Sequence, residues 1–225
     1  SEILIAKRGE LDRWILSELN SLIAEVKSSY EDYDPTKIGR LIQDFTINKL
    51  SNWYVRLSRR RFWKGKYEED KISAYQTLYT CMDVLCVLSC PIAPFFFEEI
   101  FQSLNAISKK HAVNSVHLTS FPKEDKSMID LELQEKMRLA QKITSMVLAI
   151  RKKERIRVRQ PLEKILIPIL NKKVRVHIEN MKSIILSEIN VKEIEFIDSS
   201  SGFFTKKIKP NFKILGPKFG GKMKE

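Results

Sequence analysis

The sequence predicts a mainly α protein, a helical bundle followed by a smaller α+β subdomain. Through the first half, apolar residues recur at three- and four-residue spacings, the period of a helix face. Only seven glycines occur in 225 residues and most lie near the C-terminus, which disfavours a Gly-rich all-β fold. Beyond Phe121-Pro122 the pattern changes to one helical stretch and two short alternating runs. Apolar residues at 43% and charged residues at 30% give the balance of a globular protein with its own core.

Residues 12–30 place Trp14, Ile15, Leu19, Leu22, Ile23 and Val26 on one stripe, the first helix. Asp34-Pro35 interrupts it, and Pro35 suits the first turn of a second helix. That helix is expected to run unbroken to about Trp63 through Ile38, Phe45, Leu50, Trp53 and Leu57, with Gly65 marking its end. A third, over residues 68–89, is apolar on several sides and suits a central position. Pro91 and Pro94 stop it, and residues 95–104 form a fourth. Short connections between long helices imply an up-and-down bundle over residues 1–122.

The polar residues 123–127 read as a linker. A helix over 130–153, a strand over 164–169, a helix over 174–187 and a strand over 191–197 then make a basic subdomain, residues 123–225. Residues 206–225 show no periodicity.

Forty Lys and Arg against twenty-eight Asp and Glu leave a net charge of +12. Such an excess favours a polyanionic partner through counterion release. No apolar run reaches the ~18–20 residues of a membrane span, and Ser1–Arg8 lacks a signal-peptide pattern. A nucleic acid in the cytoplasm is the expected partner. Cys81, Cys86 and Cys90 sit in an apolar helical run without a C-x-x-C pair, and read as buried thiols rather than zinc ligands.

Three clusters carry the positive charge. The first is Arg56, Arg59, Arg60, Arg61, Lys64 and Lys66, interleaved with Trp53, Tyr54, Phe62 and Trp63. At about 100° per residue, Asn52, Arg56, Arg59 and Trp63 share one stripe. Guanidinium groups beside an aromatic plane can hold phosphates while an unpaired base stacks. Trp53 and Phe62 read as core, because large rings are mostly buried. The second cluster is Arg151, Lys152, Lys153, Arg155, Arg157, Arg159 and Lys164; Arg155, Arg157 and Arg159 alternate, so an extended segment would place them on one face. The third runs from Lys206 to Lys224. One run of charge is usually a solvated face; three in one chain point to a distributed phosphate-binding surface.

Catalytic patterns are missing. Residues Gly216 to Lys222 fit G-x-x-x-x-G-K, but Met223 stands where a phosphate loop needs Ser or Thr. No G-x-S-x-G or H-E-x-x-H occurs, and His111, His117 and His177 are scattered. Acids such as Asp83 and Glu98-Glu99 read as surface or helix-terminal charges.

Asn52-Trp53-Tyr54-Val55-Arg56, continuing through Ser58-Arg59-Arg60-Arg61-Phe62-Trp63, resembles the second bundle helix of isoleucyl-tRNA synthetases. Leu11-Asp12-Arg13-Trp14-Ile15-Leu16 is similar to the start of the anticodon-binding bundle in the related class I enzymes for Ile, Val and Leu. Pro91-Ile92-Ala93-Pro94-Phe95 with Glu98-Glu99-Ile100 resembles the family's Pro-x-x-Pro-F segment. Ser115-Val116-His117-Leu118 before Phe121-Pro122 resembles its S-V-H-L…W-P turn, with Phe121 replacing the common Trp. Arg157-Val158-Arg159-Gln160-Pro161-Leu162 looks like K-V-R-Q-P-L, and Asn211-Phe212-Lys213 with Leu215-Gly216-Pro217-Lys218 resembles N-x-x-x-L-G-x-K of the archaeal- and eukaryotic-like branch.

The resemblance implies the anticodon-arm-binding part of a cytoplasmic isoleucine–tRNA ligase, cut within its C-terminal region. H-I-G-H, K-M-S-K-S and the catalytic domain are not in the chain. The whole enzyme would charge tRNA with isoleucine using ATP and magnesium; the piece would be non-catalytic, with no cofactor or metal of its own. Its implied partners are the isoleucine tRNA and its own catalytic domain, with no membrane. Phosphate contact falls to Arg56, Arg59, Arg60, Lys64, Arg155, Arg157 and Arg159, and base stacking to Trp63. The rival readings are the same region of a valyl enzyme, whose helix usually lacks the Ser-Arg-x-Arg-Phe-Trp run, and a scaffold that contacts no RNA.

Overall fold

Helix α1, Glu10–Glu31, is apolar on more than one face, and Trp14, Ile15, Leu16, Leu19, Leu22, Ile23 and Val26 are all buried. Each such side chain contributes about 1.5–3 kcal/mol of hydrophobic stabilisation, so α1 becomes an axis around which others pack. A computed structural model describes residues 2–64, 66–168 and 171–197. These belong to two compact units, Ser1–Arg138 and Leu139–Glu225.

In the first unit, α2, Pro35–Asp44, starts where Asp34 accepts a hydrogen bond from the Lys37 amide at 2.9 Å and Pro35 occupies the first turn. The single helix expected from Pro35 to Trp63 is not what forms. After α2 the backbone widens into a π-helical segment, Phe45–Val55, turns at Ser58, and resumes as a short helix α3, Arg59–Trp63. The buried positions Phe45, Leu50 and Tyr54 are five and four residues apart, too wide for a period of about 3.6. Hydrogen bonds from each residue to the fifth before it keep these rings and branches on the core side.

Helix α4, Glu69–Ser89, packs against α1, α2, α3 and α5, the central place expected of it. Helix α5, Pro94–Ser108, begins at Pro94 and buries Phe101. Two acids read as surface or helix-terminal charges have structural roles. Asp83 is buried and pairs with Lys110 Nζ at 2.9 Å and His111 Nε2 at 2.8 Å, tying the chain after α5 to α4. Glu98 Oε2 accepts from the Val116 amide at 2.9 Å and the Ser115 hydroxyl at 3.0 Å.

The stretch expected as a linker is instead anchored to α1. Asn20 Oδ1 accepts from the Asp125 amide at 2.8 Å, Ser17 Oγ accepts from the Asp130 amide at 2.8 Å, and Gln134 reaches Ser17 and Ser21. Helix α6, Leu131–Lys153, starts there, and the first compact unit includes its opening turns as far as Arg138.

The second unit pairs two parallel strands, β1 (Leu162–Pro168) and β2 (Val191–Ile197), in the register Leu162 to Val191 and Ile165 to Ile194. A parallel pair needs a crossover, supplied by α7 (Lys172–Asn180) and α8 (Lys182–Ile189). The sequence suggested one helix here; the chain breaks at Met181, which is buried with Ile178, Ile185 and Ile189. Asn190 ends α8 in the left-handed region, φ 50°, and its side chain donates to the Val158 carbonyl.

Candidate nucleic-acid interface

Helix α3 is too short to hold itself together by backbone hydrogen bonds alone. Its anchor is Arg61. The guanidinium grips Asp12 with Nη1 at 2.8 Å and Nη2 at 2.7 Å, and meets Asp70 through Nε at 2.9 Å. The Asp12 side chain is fully buried on α1 and also accepts from Tyr54 Oη at 2.6 Å. Burial and the Asp12 charge push the Tyr54 phenol far above its usual range, so it remains a donor. Burial works against the charge on Arg61, but its hydrogen bonds to Asp12 and Asp70 prevail and hold it more firmly protonated than usual. Phe62 seals the same joint, edge-on to Tyr54 and Tyr75, and Tyr75 donates to its carbonyl.

With Arg61 turned inward, its neighbours face water. Arg59, Arg60 and Lys64 are exposed, and Trp63 is 82% exposed, whereas Trp53 is core at 8%. Arg56 is exposed too; its Nε donates to the Asn52 carbonyl and its guanidinium lies 5.9 Å from the Trp53 ring centroid. The π-helical turns and the break at Ser58 mean that one uniform helical stripe does not carry from Asn52 to Trp63. What α3 and the Lys64 that follows it present is two guanidinium groups, an ammonium and a bare indole within six residues. Arginine forks can bind phosphate oxygens in pairs, and an exposed indole can stack an unpaired base.

In the second unit the basic cluster divides differently. Arg151, counted with the surface charges from its sequence, is buried and donates to the carbonyls of Arg157, Gln160 and Asn190 at 3.1, 3.0 and 3.0 Å. It holds the connection between α6 and β1. That connection is a series of turns, not the extended run expected to align Arg155, Arg157 and Arg159 on one face. Arg155 has φ 57°, and all three side chains are exposed around the turns that Arg151 fastens. Lys164 pairs with Glu195 across the strands at 2.7 Å, which raises its pKa and occupies it. The cluster from Lys206 to Lys224, and the Gly216–Lys222 stretch within it, lie outside the described residues. Cys81, Cys86 and Cys90 are buried thiols, as their apolar setting suggested.

Comparison with known proteins fits this geometry. The sequence model of a family described as the anticodon-binding domain of tRNA ligase matches residues 12–167, most of the chain. The chain belongs to that family. Among relatives of this anticodon-binding domain, the isoleucine–tRNA ligase of Cytophaga hutchinsonii is 54% identical over 225 residues, all of this chain and 20% of that protein. The protein of the same name from Bacteroides thetaiotaomicron is 51% identical over 224 residues, 100% of this chain and 19% of its own length. That of Dehalococcoides mccartyi is 46% identical over 185 residues, 82% of this chain and 18% of its own. The chain thus spans about a fifth of the curated relatives it matches.

Two positions that shape the anticodon-binding domain's basic face escape a reading by charge alone. Asp12 interrupts the apolar stripe of α1 one turn before Ile15 and Leu16, and an acid on a core face signals a buried partner. Arg151 carries no comparable signal, since it is followed directly by Lys152 and Lys153, which are exposed. No helix among the described residues is long and apolar enough to cross a membrane.

Proposed function

We propose that this domain binds the anticodon arm of the isoleucine tRNA within an isoleucine–tRNA ligase. The observation that carries the reading is the exposed Trp63 beside exposed Arg59, Arg60 and Lys64, on a short helix whose one inward arginine is locked to a buried carboxylate. The names borne by its relatives support the choice of isoleucine.

In this reading Arg56, Arg59, Arg60 and Lys64 of the helical bundle neutralise backbone phosphates of the RNA, and Trp63 stacks on an unpaired base. Arg155, Arg157 and Arg159 of the basic subdomain supply further phosphate contacts. Such contacts position an RNA without reading its sequence, so discrimination rests on loop shape and stacking. The whole cytoplasmic enzyme activates isoleucine with ATP and magnesium in its own catalytic domain and transfers it to the tRNA; no residue of this chain is assigned to either. The test is binding of the chain to isoleucine tRNA and to valine and unrelated tRNAs over a salt series. Equal, weak binding to all three would overturn the assignment of specificity to this domain.

A further inference from the structure

The turn between α6 and β1 carries Arg155, Arg157 and Arg159, yet little apolar packing holds it. Of residues 154–161 only Ile156 is part-buried. Left to itself, such a stretch samples many conformations, and a ligand would have to order it at an entropic cost. Polar bonds from two residues fix it instead. Arg151, 2% exposed, donates to the carbonyls of both Arg157 and Gln160, so one guanidinium spans the turn. Asn190 meets it from the end of α8. Its side chain donates to the Val158 carbonyl at 2.9 Å, and its own carbonyl accepts from Arg151 Nη2 at 3.0 Å and the Leu162 amide at 3.2 Å. Arg151 makes no ion pair among the described residues. A carbonyl at the C-terminal pole of α8 takes the place of a counter-ion, and the charge of Arg151 adds to those of the turn.

The side chains that this frame displays are spare. Arg155, Arg157 and Arg159 are exposed and make no side-chain hydrogen bond or ion pair among the described residues. Lys164 and Arg175 of the same unit, by contrast, pair with Glu195 and Glu179. Arg155 also occupies the left-handed position that ends α6, φ 57°, with its amide bonded to the Lys152 carbonyl and the Ile156 amide to the Arg151 carbonyl. Glycine suits that position best, so the fold supplies no reason for an arginine there.

We propose that Arg151 and Asn190 are positioning residues for RNA binding: they hold residues 155–160 in the shape that receives backbone phosphates, and act only through Arg155, Arg157 and Arg159. Arginine forks already in place lose less freedom on meeting a phosphate. The inference rests on the RNA-binding part of the function proposed above and not on its preference for the isoleucine tRNA.

Variants of the full 225-residue chain test it, with isoleucine tRNA at low salt as the probe and thermal unfolding on the same samples. Asn190→Gly keeps the left-handed backbone but removes the bond to Val158. It should weaken binding about fivefold while Tm stays within about 3 °C of the parent. Arg155→Gly should weaken binding about threefold or more while Tm holds or rises, a pairing that a purely structural arginine would not give. In a chain carrying Arg155→Gly, Arg157→Gln and Arg159→Gln, adding Asn190→Gly should change affinity by less than about twofold, because nothing remains to position. Arg151→Lys keeps the charge but not the fork that spans Arg157 and Gln160, and should follow the same pattern as Asn190→Gly in both backgrounds. A parent chain that binds no tRNA would overturn the proposed function and this inference together. A parent that binds, with Asn190→Gly and Arg151→Lys binding as tightly, would overturn the positioning role alone. A loss from Asn190→Gly that is just as large in the triple variant would overturn it too, since the residue would then act elsewhere. Unchanged binding by Arg155→Gly would overturn the contact given to that side chain.

Discussion

Removing the Arg61 guanidinium should loosen α3 and the basic face together. The Asp12 carboxylate is fully buried, and the Arg61 side chain is 17% exposed, so Arg61→Met leaves a buried charge whose remaining hydrogen bond among the described residues is from the Tyr54 hydroxyl. Breaking a buried pair from one side costs about 3–5 kcal/mol. The partial exposure of Arg61 and its solvated second partner Asp70 favour the lower end, about 3 kcal/mol. For a unit of this size that corresponds to a fall in Tm of roughly 10 °C. Well below the new Tm the bundle should stay helical while α3, left with the Phe62 packing and the Tyr75 hydrogen bond, is less firmly oriented, so tRNA binding should weaken although Arg61 faces inward. Arg61→Lys keeps the charge but not the two-pronged grip and should recover part of the stability. The assays are thermal unfolding by circular dichroism and tRNA binding on the same samples. A Tm within about 2 °C of the parent, a cost below about 1 kcal/mol, with unchanged binding, would refute the anchoring role.

The other predictions concern charge, stacking and pH. Arg59→Glu with Arg60→Glu should weaken tRNA binding about tenfold or more and flatten its salt dependence, with helicity intact because both side chains are exposed; unchanged affinity would remove the first cluster from the interface. Trp63→Ala should cost about 1–3 kcal/mol of RNA affinity and less than about 0.5 kcal/mol of stability, its ring being 82% exposed. Hydrogen bonds from Gln102, the Val116 amide and the Ser115 hydroxyl hold the Glu98 carboxyl below its usual value of 4.5, against the opposing effect of burial. A depressed folded pKa means that its contribution is present above that value and is lost as pH falls through the lowered one. Urea unfolding between about pH 5 and 3 should show this acid loss, and Glu98→Gln should abolish that part of it.

The bundle was legible because helical periodicity reports burial directly: the stripe through Trp14, Leu19, Leu22 and Val26 became the helix its spacing implies. Residues 191–197 became the expected strand, although burial there falls at Val191 and Ile194 and does not alternate strictly. The π-helical segment was not legible. Trp53 and Leu57 also fit an ordinary helical period, and only the tertiary demand to bury Phe45, Leu50 and Tyr54 together widens the turns. The basic clusters show the same division. Arg59, Arg60 and Arg61 are identical in type, yet Asp12, far away in sequence, turns one of them inward. Charge counts reveal the partner's polarity, whereas partners across the fold decide which charges are free to meet it.

The claim that this domain recognises the anticodon arm of the isoleucine tRNA is tested most directly by competitive binding of isoleucine, valine and unrelated tRNAs from low to near-physiological salt. The account predicts a preference for isoleucine tRNA that persists as salt rises, because stacking and shape survive where counterion release fades. Binding that is equal among the tRNAs and disappears with salt would contradict it.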